Sequence, residues 1–256
     1  MASKPSAPLT GRALAAALAA AGCMGMSSLP VSTPVWVRNA LTLGRSNQLH
    51  SLPSVARFEM DEGGAFILDR SHQPALVKFD DSPEIWAVEA SRGPRGDILF
   101  KDDVGDVVLR LTRFGGMTAF TRREPAGAAA TFVGATNPLK MSPIGPAALY
   151  QRMVIASSRC SRAARHLVSF DAPNVDSRSS ALIGDAAWLA MQAIVEMADT
   201  PDGRAPVGRI GKVVLTTGSK FGVRFEAPAL IVTVAPDQGL AGHPSSARIA
   251  EVIDGE

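Results

Sequence analysis

Cysteine, tyrosine and aromatic residues in general are scarce in this 256-residue chain, which has two cysteines, one tyrosine and a 5% aromatic share. Cys23 and Cys160 cannot make a disulfide framework, so any fold must be held by a hydrophobic core. Net charge is scarce as well. Lys4 and Arg12 are the only charges among the first 22 residues, and the remainder balances at 24 basic and 24 acidic side chains. A nucleic-acid binder needs a basic stripe and stacking rings, so that class is excluded. Long apolar runs are missing too. No segment approaches the roughly 20 residues of a bilayer-spanning helix.

Recognisable catalytic motifs are also absent. The nearest approach to a phosphate-binding loop is at Gly211-Lys212, but Val213 follows where a hydroxyl should bind Mg²⁺, and Pro206 stands at the first glycine position. No GxGxxG opens a helix, and Gly218-Ser219-Lys220-Phe221-Gly222 has its serine misplaced for a nucleophile elbow. The four histidines, His50, His72, His166 and His243, lack metal-ligand spacing. The acidic run Asp102-Asp103-Val104-Gly105-Asp106 is too short for an EF-hand loop and reads as a solvated turn. No metal and no cofactor are expected.

What is present begins at the N-terminus. A basic flank with Lys4 and Arg12 precedes ALAAALAAAG, an uncharged run of signal-peptide length. It ends Ala20-Ala21-Gly22-Cys23, which resembles a bacterial lipobox, with Ala20 where leucine is usual. The reading is an exported precursor with a signal over residues 1–22, lipidated on Cys23 and tethered by residues 23–54. Cleavage by the ordinary signal peptidase near Ala19-x-Ala21 is the alternative. Two acyl chains would hold the protein to a membrane from the periplasmic side without a transmembrane helix.

Residues 55–256 read as a single α+β domain. Short apolar runs, ARFEM, AFILD, ALVKF, EIWAVEA, DILFK, DVVLRLTR and MTAFT, are cut by turns such as Asp61-Glu62-Gly63-Gly64. Links this short join antiparallel neighbours, which predicts a β-meander forming a curled sheet or a small barrel. A Pro/Ala/Gly connector over 124–143 leads to a helix pair, about Pro146 to Leu167 and Ser180 to Ala198. Strands at 211–217, 221–227 and 229–235 follow, and a short helix, SARIAEVID, capped by Ser245 or Ser246, closes the chain. The meander between Ile85 and Phe120 is expected to share one core with the helix around Trp188.

ARFEMDEGGAFILDRS, FDDSPEIWAVEASRGPRGDILFKDDVGDVVLRLTRFGGMTAFT and AGHPSSARIAEVID resemble an alphaproteobacterial family of exported proteins without assigned function, domain of unknown function 4908. The resemblance spans most of Ala56 to Asp254. It implies a cell-envelope setting and brings no catalytic residues with it.

The candidate site residues are few. His243 and Ser245, beside a helix start, are the least implausible catalytic pair, and Arg248 follows them. Arg92 and Arg95, in SRGPRG, could grip a carboxylate or phosphate. Cys160 lies between Arg159 and Arg162 on an apolar helix stripe and reads as a small buried hydrophobe. The arginine-rich side of that helix reads as a solvated face, with contact to lipid headgroups as the alternative. Two functions follow. The first is a non-catalytic cell-envelope protein binding an envelope component or a protein partner. The second is a periplasmic hydrolase with a dispersed active site near His243 and Ser245.

Overall fold

A computed structural model describes residues 52–255; the signal segment, Cys23 and nearly all of the tether lie outside them. Eight antiparallel strands form a closed up-and-down barrel: β1 (Val55–Met60), β2 (Ala65–Asp69), β3 (Ala75–Phe79), β4 (Ile85–Arg92), β5 (Ile98–Lys101), β6 (Val107–Leu111), β7 (Met117–Ala119) and β8 (Ala128–Ala135). Period-two alternation turns Phe58, Phe66, Leu68, Val77, Phe79, Phe100 and Leu109 inward, and these side chains fill the barrel. The rings of Phe58 and Phe66 stack at 5.1 Å, and Phe79 continues the series 5.3 Å from Phe66.

The meander therefore takes the barrel form. Closure depends on β8, which falls inside the segment read as a connector. Its sequence, AAATFVGA, is poor in β-branched residues, so propensity hides it. Pairing with both β7 and β1 makes it a strand.

The second half contains helix α1 (Pro146–Ala164), strand β9 (Ser169–Asp171), helix α2 (Ser180–Asp199), the single turn α3 (Arg204–Val207), strands β10 (Lys212–Thr217), β11 (Gly222–Glu226) and β12 (Ala229–Val234), and helix α4 (Ser246–Asp254). α1 begins at Pro146, whose fixed φ suits a first turn. It stops at Arg165 in the left-handed region (φ 60°), three residues earlier than the periodicity suggests. α2 is long and apolar enough to cross a membrane, contrary to the expectation that no segment would be. It is instead the central helix of a core, apolar nearly all round because neighbours surround it. Gly184 lets α1 come close, since a Cβ there would lie 2.6 Å from Ile144 Cδ1 and 3.3 Å from the Arg152 side chain.

The terminal strands do not form the simple hairpin that Gly218-Ser219-Lys220 suggests. Sheet order is β11-β12-β10-β9, with β12 parallel to β10 and antiparallel to β11. β12 buries Leu230, Val232 and Val234 and needs a neighbour on each side. β11 carries the exposed ion pair Arg224–Glu226 and suits the edge.

The expectation of one shared core is corrected here. Trp188 packs against a cluster made by α1, α2, α4 and the second sheet, while the barrel strands have their own. The halves meet at a small apolar patch, where Leu76 on the outer barrel wall contacts Leu240 and Ala241 with Ile85 and Ala87 beside them. A closed barrel has its inner face occupied already, so only outward side chains remain for docking.

Two buried carboxylates brace the barrel end remote from α4. The Arg110 guanidinium, 2.7 Å away through Nε, holds the Asp97 carboxyl below its usual range, and the Arg113 amide adds to this at 3.2 Å. Burial pushes Asp69 up but is outweighed by the Ser71 hydroxyl and amide and the Leu139 amide, so this carboxyl is also lowered. A depressed folded-state value gives stability that is complete above the unfolded value, about 3.9, and lost as pH falls through the folded value. Acid titration should therefore show the melting temperature falling below about pH 4, with a shallower fall in Asp97→Asn. Equal acid slopes for the two proteins would reject this assignment.

Candidate functional site

The DDSPE loop between β3 and β4 builds the seam between the halves. The Ser82 hydroxyl accepts from the Glu84 amide (3.2 Å), while Lys78 Nζ donates to the Ser82 carbonyl (3.3 Å). This turns Glu84 inward, where it is only 3% exposed. Both of its oxygens are engaged by one residue: the Ser246 amide donates to Oε1 at 2.9 Å and the Ser246 hydroxyl to Oε2 at 2.7 Å. On the next loop, Asp103 Oδ2 accepts from the Ser245 amide at 3.0 Å. The N-terminus of α4 is an anion-binding position, with free amides and a positive dipole end. Two carboxylates of the barrel fill it.

This geometry decides how His243, Ser245 and Arg248 are used. The Ser245 hydroxyl caps α4 by accepting from the Arg248 amide at 3.0 Å. The Arg248 guanidinium donates to the Asp103 carbonyl and pairs with Glu251. His243 is buried, with Nδ1 3.1 Å from the Pro244 carbonyl oxygen. Gly242 makes the approach to this segment possible, because a Cβ there would lie 2.1 Å from the Ala235 carbonyl oxygen.

A cleft of about 340 Å³ opens along the seam. Lys78, Glu84 and Ile85 line it from the barrel, Arg152, Asp185, Trp188 and Leu189 from α1 and α2, and His243 from the loop before α4. Its volume falls within the range of small-ligand sites, roughly 300–1,000 Å³. Arg152 Nη1 pairs with Asp185 at 2.7 Å, and the Arg159 guanidinium lies 5.3 Å from the Trp188 ring centroid. Among the described residues no serine, threonine or cysteine lines the cleft, Ser245 included. His243 therefore has no hydroxyl beside it there to activate. Cys160 is fully buried, and burial pushes its thiol up to about 12, so it stays protonated and inert at neutral pH.

Arg92 and Arg95 lie at the opposite end of the barrel from Arg248, so the three do not form one site. Sequence patterns do not point to Lys78, Glu84, Asp185 or Trp188 as cleft residues. One signal is available: Glu84 opens an apolar strand directly after a Ser-Pro turn, an expensive place for an unpartnered carboxylate.

The fold and seam define an α+β protein in which a filled eight-stranded barrel is clasped by a helical half, leaving a half-polar cleft between them. Residues 37–253 match the model of the family described as Domain of unknown function (DUF4908), and the chain belongs to that family. No curated protein and no solved structure matches it.

Proposed function

We propose that this is a non-catalytic cell-envelope protein that binds an envelope component or a protein partner through the cleft beside Trp188. The observation that carries the reading is the engagement of the polar groups around the seam. Glu84, Ser245, Ser246 and Arg248 are held by one another or by the barrel, and Arg152 is paired with Asp185. A catalytic constellation needs a nucleophile and base within hydrogen-bond reach, with the base oriented by a third group. The cleft offers instead an apolar floor, Ile85, Trp188 and Leu189, with Lys78 at its margin. This suits recognition of an amphiphilic ligand or side chain.

The signal-like start and the Ala20-Ala21-Gly22-Cys23 sequence support export and lipidation, and hence a periplasmic location in an alphaproteobacterial cell. Mass spectrometry of the membrane fraction should find a diacylglyceryl group on Cys23. A soluble product beginning at Met24 would refute the tether.

Binding is tested by crosslinking in intact envelopes followed by pulldown. Trp188→Ala and Lys78→Glu should lose the captured component, whereas Arg224→Ala, on the edge strand β11, should retain it. The purified protein should turn over no peptidoglycan fragment, ester or phosphoester. Turnover that vanishes in His243→Ala or Ser245→Ala, with the fold intact, would replace this reading with the hydrolase.

A further inference from the structure

An up-and-down barrel sorts its loops alternately between two ends. At the end clasped by α4 the loops read DEGG, DDSPE, DDVGD and FTRREPAG, with nine carboxylates against two arginines. At the other end they read RSHQP, GPRGD and TRFGG, where both carboxylates are buried and engaged, Asp97 by Arg110 and Asp69, at the end of β2, by Ser71 and the Leu139 amide. Arg92 completes this second end at the last position of β4. The near-neutral net charge therefore conceals a polarised barrel, and the basic end is the one that the helical half leaves uncovered.

Two further features give this end a form beyond loose charge. Arg92, Arg95 and Arg113 are exposed, and none forms an ion pair with a described carboxylate. Next to Arg113 in the TRFGG turn, Phe114 is 78% exposed, with the Arg113 guanidinium 4.5 Å from its ring centroid. The ring is held out by a closed turn: the Thr112 amide donates to the Gly116 carbonyl (2.8 Å), the Gly115 amide to the Thr112 carbonyl (2.9 Å), and Gly115 takes φ +91°. Asp97 ties this loop to GPRGD by accepting from the Arg113 amide. A projecting apolar ring among unpaired cations suits a bilayer surface, where the ring enters the interfacial layer and the cations meet lipid phosphates.

We propose that the basic end of the barrel, Arg92, Arg95, Arg113 and Phe114, is a docking surface for an anionic phospholipid bilayer. The chain also enters the barrel at this end, where the Leu52 and Pro53 carbonyls accept from Arg70 (2.8 and 2.9 Å).

The full chain is sedimented with phosphatidylcholine vesicles, with or without phosphatidylglycerol. Wild type should prefer the phosphatidylglycerol vesicles, and added salt should weaken that preference. Each arginine near an anionic surface contributes about a fivefold gain in partitioning, so R92Q/R95Q/R113Q should lose about a hundredfold. The corresponding triple lysine variant should restore binding, because diffuse headgroup attraction needs charge and not a guanidinium fork. Phe114→Ser should cost about tenfold. Cys23→Ser should leave the vesicle preference intact while removing the salt-resistant, lipid-borne anchoring in cells, which separates this surface from the tether. Wild type without lipid preference, a glutamine triple that binds as wild type does through Lys4 and Arg12, or a lysine triple that fails to bind would each overturn the proposal.

Discussion

Phe66→Ala is expected to destabilise the protein by about 4 kcal/mol, close to the top of the range for truncating a buried aromatic. Phe66 is fully buried at the centre of a run of rings, stacked on Phe58 at 5.1 Å and tilted against Phe79 at 5.3 Å, with Trp86 edge-on to Phe79 at 5.0 Å. The cost of such a truncation depends on how far the surroundings relax into the vacated space. Here they can relax little, because the cavity would be walled by a closed hydrogen-bonded cylinder whose circumference is fixed by strand number and register. Denaturant unfolding should show the loss, and the melting temperature should drop by about 10 °C. A loss below about 2 kcal/mol would mean that the barrel interior can collapse, against this account.

The barrel is largely legible in the amino-acid sequence because its strands alternate, its turns are short, and every turn but RSHQP carries glycine or aspartate where the chain reverses. AFILD and ALVKF fall where the alternation puts them, as β2 and β3. β8 is not legible, since what makes it a strand is long-range pairing with β1, and AAATFVGA carries little propensity of its own. The crossing of β10, β11 and β12 is hidden for a related reason. A local turn signal at Gly218-Ser219-Lys220 cannot reveal that β12, the more apolar strand, displaces β11 from the place beside β10.

The two-core arrangement is illegible in the same sense. Apolar periodicity reveals that a side chain is buried, but not which neighbour buries it. Trp188 illustrates this: its helix stripe is plain in the sequence, yet it packs on a cluster drawn from α1, α2, α4 and the second sheet and also lines the seam cleft. The HPSSAR segment is conspicuous in the sequence, and its capping serine is where the helix signal puts it. What caps it in turn, Glu84 from a loop 162 residues away, has no local signature beyond a carboxylate at the head of an apolar strand.

Glu84→Ala should destabilise the protein by about 3 kcal/mol and loosen the two halves from each other. The Ser246 amide and hydroxyl are buried and donate to a charged acceptor, and hydrogen bonds to charged groups contribute roughly 1.5–3 kcal/mol. Removing the carboxylate leaves both donors unsatisfied and takes the compensating charge from the α4 dipole. The apolar patch of Leu76, Leu240 and Ala241 works in parallel, and burying one leucine contributes about 1.5–3 kcal/mol, so neither contact dominates by energy alone. They differ in directionality. An apolar patch tolerates sliding, whereas a carboxylate bonded to two donors of one residue fixes where α4 begins against the barrel. Glu84→Gln keeps one acceptor and the side-chain shape, and should lose about half as much. Hydrogen exchange supplies the discriminating readout: in Glu84→Ala the amides of α4 should exchange faster by a larger factor than those of β2, whose barrel ladder is intact. If α4 and β2 instead lose protection equally, or if the Glu84→Ala protein melts as wild type does, the apolar patch holds the seam and the carboxylate clasp does not.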